Sequence, residues 1–471
     1  MTDRVQRRAN LRGRTVLAAL GAAFAALTAC AEPYRDGDVV VFFGDSITHA
    51  GRYHAYIADY YRTRYPDARI RFINSGISGD TVGRAFKRIA DDVTEYNPTH
   101  VAFHFGMNDV GRDAYNPETT PWTLLSRDNG QRRFRQDFQW FIQTMRKAVP
   151  QAKFTYLTPT VYDDRAVLTN APSWVVNQVG ANLALSILAG FALARAKDDK
   201  AEAVDWYSPL NNFQLRHQAK DPHFTITVGD RVHPGEMGHS IMAWAFLKAQ
   251  CATSLVSEVE IDAAGARLVR SENGEVSNLR SGTDGVTFTH LAKSLPMPVH
   301  EKALPYVGEF KVEDTLNREV VKVTGLPKAE YALTIDGEEV GRYTSAQFAA
   351  GVKLGFNAKT PQYRQAQEVA KRGEELRQRE RVLRDHNAVH WVYKGKAPVD
   401  DVPAFRAWYE KDVASGGKVA KSYFGQFIPG YLENWTKYKE LRAALWKDQD
   451  AVSELAKPAP HKYAIARVKR P

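Results

Sequence analysis

The sequence predicts an α/β protein whose first half is built on a parallel sheet. Between residues 38 and 250, short strand-like runs alternate one by one with helical stretches. Such alternation implies crossover connections, hence parallel strands with helices on both faces. The runs are also continuously apolar, as in Val39 to Phe43, which marks strands buried on both sides. After Cys251 the pattern changes, first to turn-flanked β segments and then to charged helices.

In order, "VVVFF" is a strand closed by the turn residues Gly44 and Asp45. "RYHAYIADYYRTRYP" is helical, and "RIRFINSG" is a second strand ending in a turn. "TVGRAFKRIADDVTEYNP" reads as a helix stopped at Pro98, and "HVAFHFG" as a third strand. "GQRRFRQDFQWFIQTMRKAVP" is helical and "KFTYLTP" a fourth strand. "GANLALSILAGFALARAKDDK" is an apolar helix, "AEAVDWY" a fifth strand and "PGEMGHSIMAWAFLKAQC" a last helix. Residues 38–251 therefore form one expected domain. Residues 258–360 form a small β-rich module, in which Asp336-Gly337 signals a hairpin. Residues 361–471 form a helical extension; with no Pro/Gly/Ser linker before it, the extension is expected to pack on the rest.

The 471 residues are 44% hydrophobic and 25% charged, an ordinary globular balance. Residues 1–30 read as an export leader: Arg4, Arg7, Arg8, Arg12 and Arg14 precede a short apolar core, Val16 to Leu27. "LTAC" resembles a bacterial lipobox, which implies a lipid on Cys30 and a periplasmic or outer-membrane lipoprotein. Ala29-Cys30-Ala31 also fits ordinary A-x-A cleavage, which implies a soluble exported chain. The leader holds five Arg and one Asp, a net +4, so the formal charge of +10 falls to +6 without it. That excess does not point to nucleic acid. Only two cysteines exist, Cys30 and Cys251; the expectation is no disulfide framework and a buried, inert Cys251.

The chemistry lies at the strand ends, where ligands of open α/β sheets sit. Ser46 follows the first strand. Its surroundings are not the G-x-S-x-G elbow, because Thr48 stands at the second glycine position. Asp230 and His233, in "GDRVHP", stand one helical turn apart just before a helix. Asp230 can fix the tautomer of His233, and His233 can then take the proton of Ser46. Gly79 after the second strand can present a bare backbone N–H, and Asn108 in "GMND" a side-chain amide. With the N–H of Ser46 these are candidate donors to an oxyanion.

Four blocks in this order, "GDSI", "NSGISGD", "GMND" and "DRVHP", resemble the SGNH hydrolases, or GDSL esterases. The resemblance covers roughly residues 38–250. It implies a flavodoxin-like three-layer α/β/α domain. It implies Ser46 as nucleophile, Asp230 and His233 as triad acid and base, and Ser46, Gly79 and Asn108 as the oxyanion hole. It implies no metal or other cofactor.

An exported location restricts substrates to envelope or extracellular esters. Arg52, Tyr53, Tyr56, Asp80, Arg84, Trp206, Tyr207 and Phe213 are polar or aromatic residues near sheet ends, a composition suited to sugars. The expectation is a serine esterase removing O-acetyl groups from carbohydrate. The alternatives are a lysophospholipase, thioesterase or arylesterase of the same family, and a non-catalytic glycan-binding protein. Asp45 and Asp109 are expected to orient backbone. His49, His54, His104 and His239 are expected to be packing or pocket-lining residues.

Overall fold

The computed structural model describes residues 30–118, 120–169 and 171–469. The leader, residues 1–29, lies outside the described residues. Five strands, β1 (Val39–Gly44), β2 (Arg71–Gly76), β3 (His100–His104), β4 (Lys153–Leu157) and β5 (Glu202–Val204), form one sheet in the order β2-β1-β3-β4-β5. Every pairing is parallel. This is the flavodoxin-like order, with its switch point between β1 and β3. Helices α1 (Arg52–Arg64), α2 (Pro121–Ala148), α3 (Ala181–Asp199), α4 (Tyr207–Gln218) and α5 (Glu236–Ala249) accompany it. Phe42, Phe43, Val101 and Phe103 are fully enclosed, so the unbroken apolar runs are strands covered on both faces.

Two elements differ from the sequence expectation. The stretch 81–98 is not one helix but four short helical turns, because Arg88 and Asp92 turn inward to a polar cluster. Helix α2 starts at Pro121, well before residue 130, where Thr120 caps it and proline occupies the first turn.

Beyond Cys251 two further sheets pack on a shared core that includes Val259, Ile261, Phe288, Tyr331 and Ile465. One has four strands, β6 (Leu255–Asp262), β7 (Arg267–Glu272), β10 (Arg318–Thr324) and β13 (Val352–Lys353), in the order β13-β10-β6-β7. The other runs β12-β11-β14-β9-β8, from β8 (Gly274–Gly282), β9 (Gly285–Ala292), β11 (Glu330–Ile335), β12 (Glu338–Thr344) and β14 (His461–Arg467). Its central strand comes from the end of the chain. The β unit expected to close at 360 is therefore completed only after residue 460, and the helices between are an insertion into it. Strand β14 has no hairpin partner nearby in sequence; its partners are β9 and β11, more than a hundred residues upstream.

The inserted helices include α6 (Pro361–Tyr393), α7 (Val402–Ala414) and α8 (Tyr438–Leu455). Strand β2 is the edge of the parallel sheet, and α6 and α8 satisfy its free backbone groups. Asn74 N–H donates to Glu380 Oε1 at 2.8 Å. Gln449 exchanges two hydrogen bonds with the backbone of Phe72, at 3.2 and 3.0 Å. Arg71 pairs in two-pronged fashion with Asp450 at 2.7 and 2.8 Å. An uncovered edge strand invites pairing with other chains, and here helices cover it.

The cysteines correct the sequence reading. Cys30 and Cys251 are joined by a disulfide, with Cα atoms 5.5 Å apart, and Cys251 is exposed. A sulfur bonded in this way cannot carry a lipid thioether, and cleavage after Ala31 would remove Cys30 altogether. The pairing corrects the expectation of no disulfide and a buried, inert Cys251. Two cysteines far apart in sequence carry no local sign of pairing.

Candidate active site

Gly44 ends β1 where a side chain would not fit: a Cβ there would lie 2.3 Å from Thr48 Oγ1 and 2.7 Å from the His104 carbonyl. Asp45 then caps a short helix, Ser46–His49, by accepting from Ile47 N–H at 3.0 Å. This turn leaves Ser46 half-buried at the carboxyl end of the sheet.

His233 reaches Ser46 from the loop before α5. Its Nε2 lies 2.8 Å from Ser46 Oγ, and its Nδ1 lies 2.5 Å from Asp230 Oδ2. Asp230 Oδ1 accepts from the backbone N–H groups of Val232 and His233, at 3.0 and 2.9 Å. Burial alone would raise the pKa of Asp230. The His233 hydrogen bond and charge, with the two backbone donors, outweigh burial and hold it below the ordinary carboxylate range. Asp230 is thus an ionised acceptor that orients the His233 ring toward Ser46.

Gly79 and Asn108 sit on the loops after β2 and β3, the two strands that flank β1. Asn108 Nδ2 donates to the Asp80 carbonyl at 2.8 Å, which joins the two loops; its second hydrogen has no acceptor among the described residues. Asp109 tightens the same junction by accepting from Val82 N–H and Gly106 N–H, each at 2.9 Å. Burial pushes the pKa of Asp109 up to about 8. Gly79 has φ +72°, and a Cβ built on it meets nothing within 4 Å. Glycine is needed there for the left-handed backbone, not for clearance as the sequence suggested. Its N–H makes no hydrogen bond within the protein among the described residues.

Beneath these loops lies Arg88, which the sequence reading passed over. It is fully buried and donates to Asp80 Oδ2 (2.8 Å), Asp92 Oδ2 (2.6 Å), the Ser75 carbonyl (2.7 Å) and the Gly44 carbonyl (2.9 Å). One guanidinium thus fixes the ends of β1 and β2 and the loop that carries Gly79. His49 joins a second relay. Its Nδ1 lies 2.9 Å from Ser78 Oγ and its Nε2 3.3 Å from Asp385 on α6. Burial lowers its pKa to about 4 despite the aspartate. Ser78 Oγ also meets Tyr423 OH, in a turn of the inserted region, at 2.9 Å, so the insertion grips the Gly79 loop directly.

Of the residues suggested for sugar contacts, Tyr53, Trp206 and Phe213 are wholly enclosed and belong to the core. Asp80 is buried against Arg88. Tyr207 donates to the Asn182 carbonyl, and Arg52 pairs with Glu236 at 3.2 Å. Arg84 alone among them lines a cavity beside Gly79. His54 and His239 are buried with lowered pKa values, that of His54 to about 3.

A family model for GDSL-like lipases and acylhydrolases matches residues 42–241, the span of these loops. Over this span the chain is similar to the GDSL-like lipases and acylhydrolases. A gut microbial diltiazem-metabolizing enzyme is similar over nearly the whole chain: 29% identity, TM-score 0.81, covering 94% of this chain and 100% of that one. An acetylxylan esterase of Geobacillus stearothermophilus is 36% identical over 91 residues. That match covers 16% of this chain and 42% of the relative's own length.

Proposed function

We propose that the protein is a serine esterase that removes O-acetyl groups from carbohydrate. The observation that carries the reading is the chain from Ser46 Oγ through His233 to Asp230, at 2.8 and 2.5 Å. In the proposed cycle Ser46 Oγ attacks the ester carbonyl carbon while its proton passes to His233 Nε2. The oxyanion that forms takes hydrogen bonds from the N–H groups of Ser46 and Gly79 and from Asn108 Nδ2. The tetrahedral species collapses, and the alcohol leaves with the proton held on His233. A water, deprotonated by His233, then releases acetate from acetyl-Ser46.

The carbohydrate assignment is supported by the acetylxylan esterase relative and by the polar loops "SITHAGRYH" and "SGDTVGR" around the site. We also infer export, supported by the basic and apolar leader in the sequence and by a disulfide, which persists in oxidising compartments. Acetate release from acetylated xylo-oligosaccharides, with diltiazem as a comparison substrate, tests the function. Ser46-dependent release supports it; turnover that survives Ser46→Ala refutes it.

A further inference from the structure

Beside Gly79 lies a cavity of about 480 Å³, inside the roughly 300–1,000 Å³ range of small-ligand sites. Two distant parts of the chain build it. Arg84 and Lys87 come from the loop after β2, and Trp391, Lys394 and Lys396 from the end of α6 and the turn that follows. No carboxylate lines it. Lys87, Lys394 and Lys396 enter no ion pair among the described residues, and all three are exposed. Arg84 is held in place: it donates to the Gly79 carbonyl and its guanidinium lies 5.8 Å from the Trp391 ring centroid. Four cations around one concavity raise the local concentration of anions, and a cleft focuses that field. The half-buried indole of Trp391 adds an aromatic wall for the C–H face of a sugar ring.

We propose that this cavity is a subsite for the carboxylate of a uronic acid, so that the preferred substrate is an acetylated acidic oligosaccharide and not a neutral one. The proposal rests on the acetylesterase reading, since Gly79, the proposed oxyanion donor, forms the shared wall. Gly79 lines the cavity, so a substrate held at its N–H borders the cavity directly. Val392 and Phe424 complete the wall beside the indole, and the four cations select an acidic occupant over a neutral one.

The test compares kcat/KM on acetylated oligogalacturonides and on acetylated xylo-oligosaccharides, for the wild type and for Lys394→Glu/Lys396→Glu. The expected wild-type ratio favours the acidic substrate, and charge reversal of two exposed lysines lowers that ratio about tenfold or more. The preference should also fade as salt rises. Binding of deacetylated oligogalacturonide to Ser46→Ala, followed by calorimetry, reads the subsite without any turnover. Lys87→Glu repeats the test from the other wall. A ratio near one, or one that charge reversal leaves unchanged, overturns the subsite while leaving the esterase reading intact. Oligogalacturonide binding with no acetate release from either substrate supports the subsite and overturns the esterase reading. Binding to phosphatidylglycerol vesicles but not to oligogalacturonide overturns the proposal in favour of a lipid surface.

Discussion

Replacing Arg88 with leucine should weaken the fold and the site together. The Arg88 guanidinium has four acceptors within 2.6–2.9 Å, two carboxylates and two backbone carbonyls. The two carboxylates fare differently when it is lost. Asp92 keeps Arg384, at 2.8 and 3.2 Å. Asp80, fully buried, keeps the Thr81 N–H at 2.8 Å and Arg84 at 3.7 Å. Breaking a buried pair costs about 3–5 kcal/mol, and the lower end applies because burial already raises the pKa of Asp80 and lets it take a proton. The Ser75 and Gly44 carbonyls each lose a charged donor, at about 1 kcal/mol apiece. Burial of the leucine returns about 1–2 kcal/mol. The net is about 4 kcal/mol, which for a unit of 150–250 residues lowers Tm by about 10 °C. Since Gly44 stands two residues before Ser46, kcat on p-nitrophenyl acetate should also fall about tenfold through lost positioning. Thermal unfolding followed by circular dichroism, with steady-state kinetics at 25 °C, reads both quantities. A Tm loss below about 3 °C with unchanged kcat would refute the account of Arg88 as the joint beneath the Ser46 and Gly79 loops.

Ser46→Ala and His233→Ala should each lower kcat by several orders of magnitude, and the double variant hardly further, because triad members act as a unit. Asn108→Ala should lower kcat by about 10²–10³ with KM little changed; a pure KM defect would place Asn108 in substrate binding instead. Arg384 and Arg88 outweigh the burial of Asp92 and lower its pKa from 3.8 to about 2. Its stabilisation, about 2 kcal/mol, is therefore present above pH 3.8 and lost as the pH falls toward 2. Urea midpoints between pH 5 and 2.5 should fall less steeply in Asp92→Asn than in the wild type, and equal slopes would contradict the assignment. Intact mass and thiol labelling of the protein purified from its native host should find Cys30 retained and paired with Cys251. Cys251→Ser should then cost about 2–4 kcal/mol. A palmitate label on Cys30, or a mature chain starting at Glu32, would show another fate for that residue.

The sequence by itself determined whatever depends on neighbours along the chain. The apolar runs of β1 and β3, their closing turns and the alternation with helices specify a parallel α/β domain, because burial and hydrogen-bond periodicity are local constraints. The same locality made Ser46, Gly79, Asn108, Asp230 and His233 legible as candidates, each on a loop after a strand or before a helix. Tertiary structure alone decided how distant pieces meet. Arg88 looked like one more cation on a helix and is instead the buried joint of three loops. Strand β14 had no partner within a hundred residues, yet it is the centre of a sheet. Lys394, Lys396 and Trp391 read only as part of a charged helical extension, and they lie against the Gly79 loop, more than three hundred residues upstream. Such contacts leave no periodicity in the sequence, because the free energy that selects them comes from burying surfaces that become neighbours only once the chain has folded.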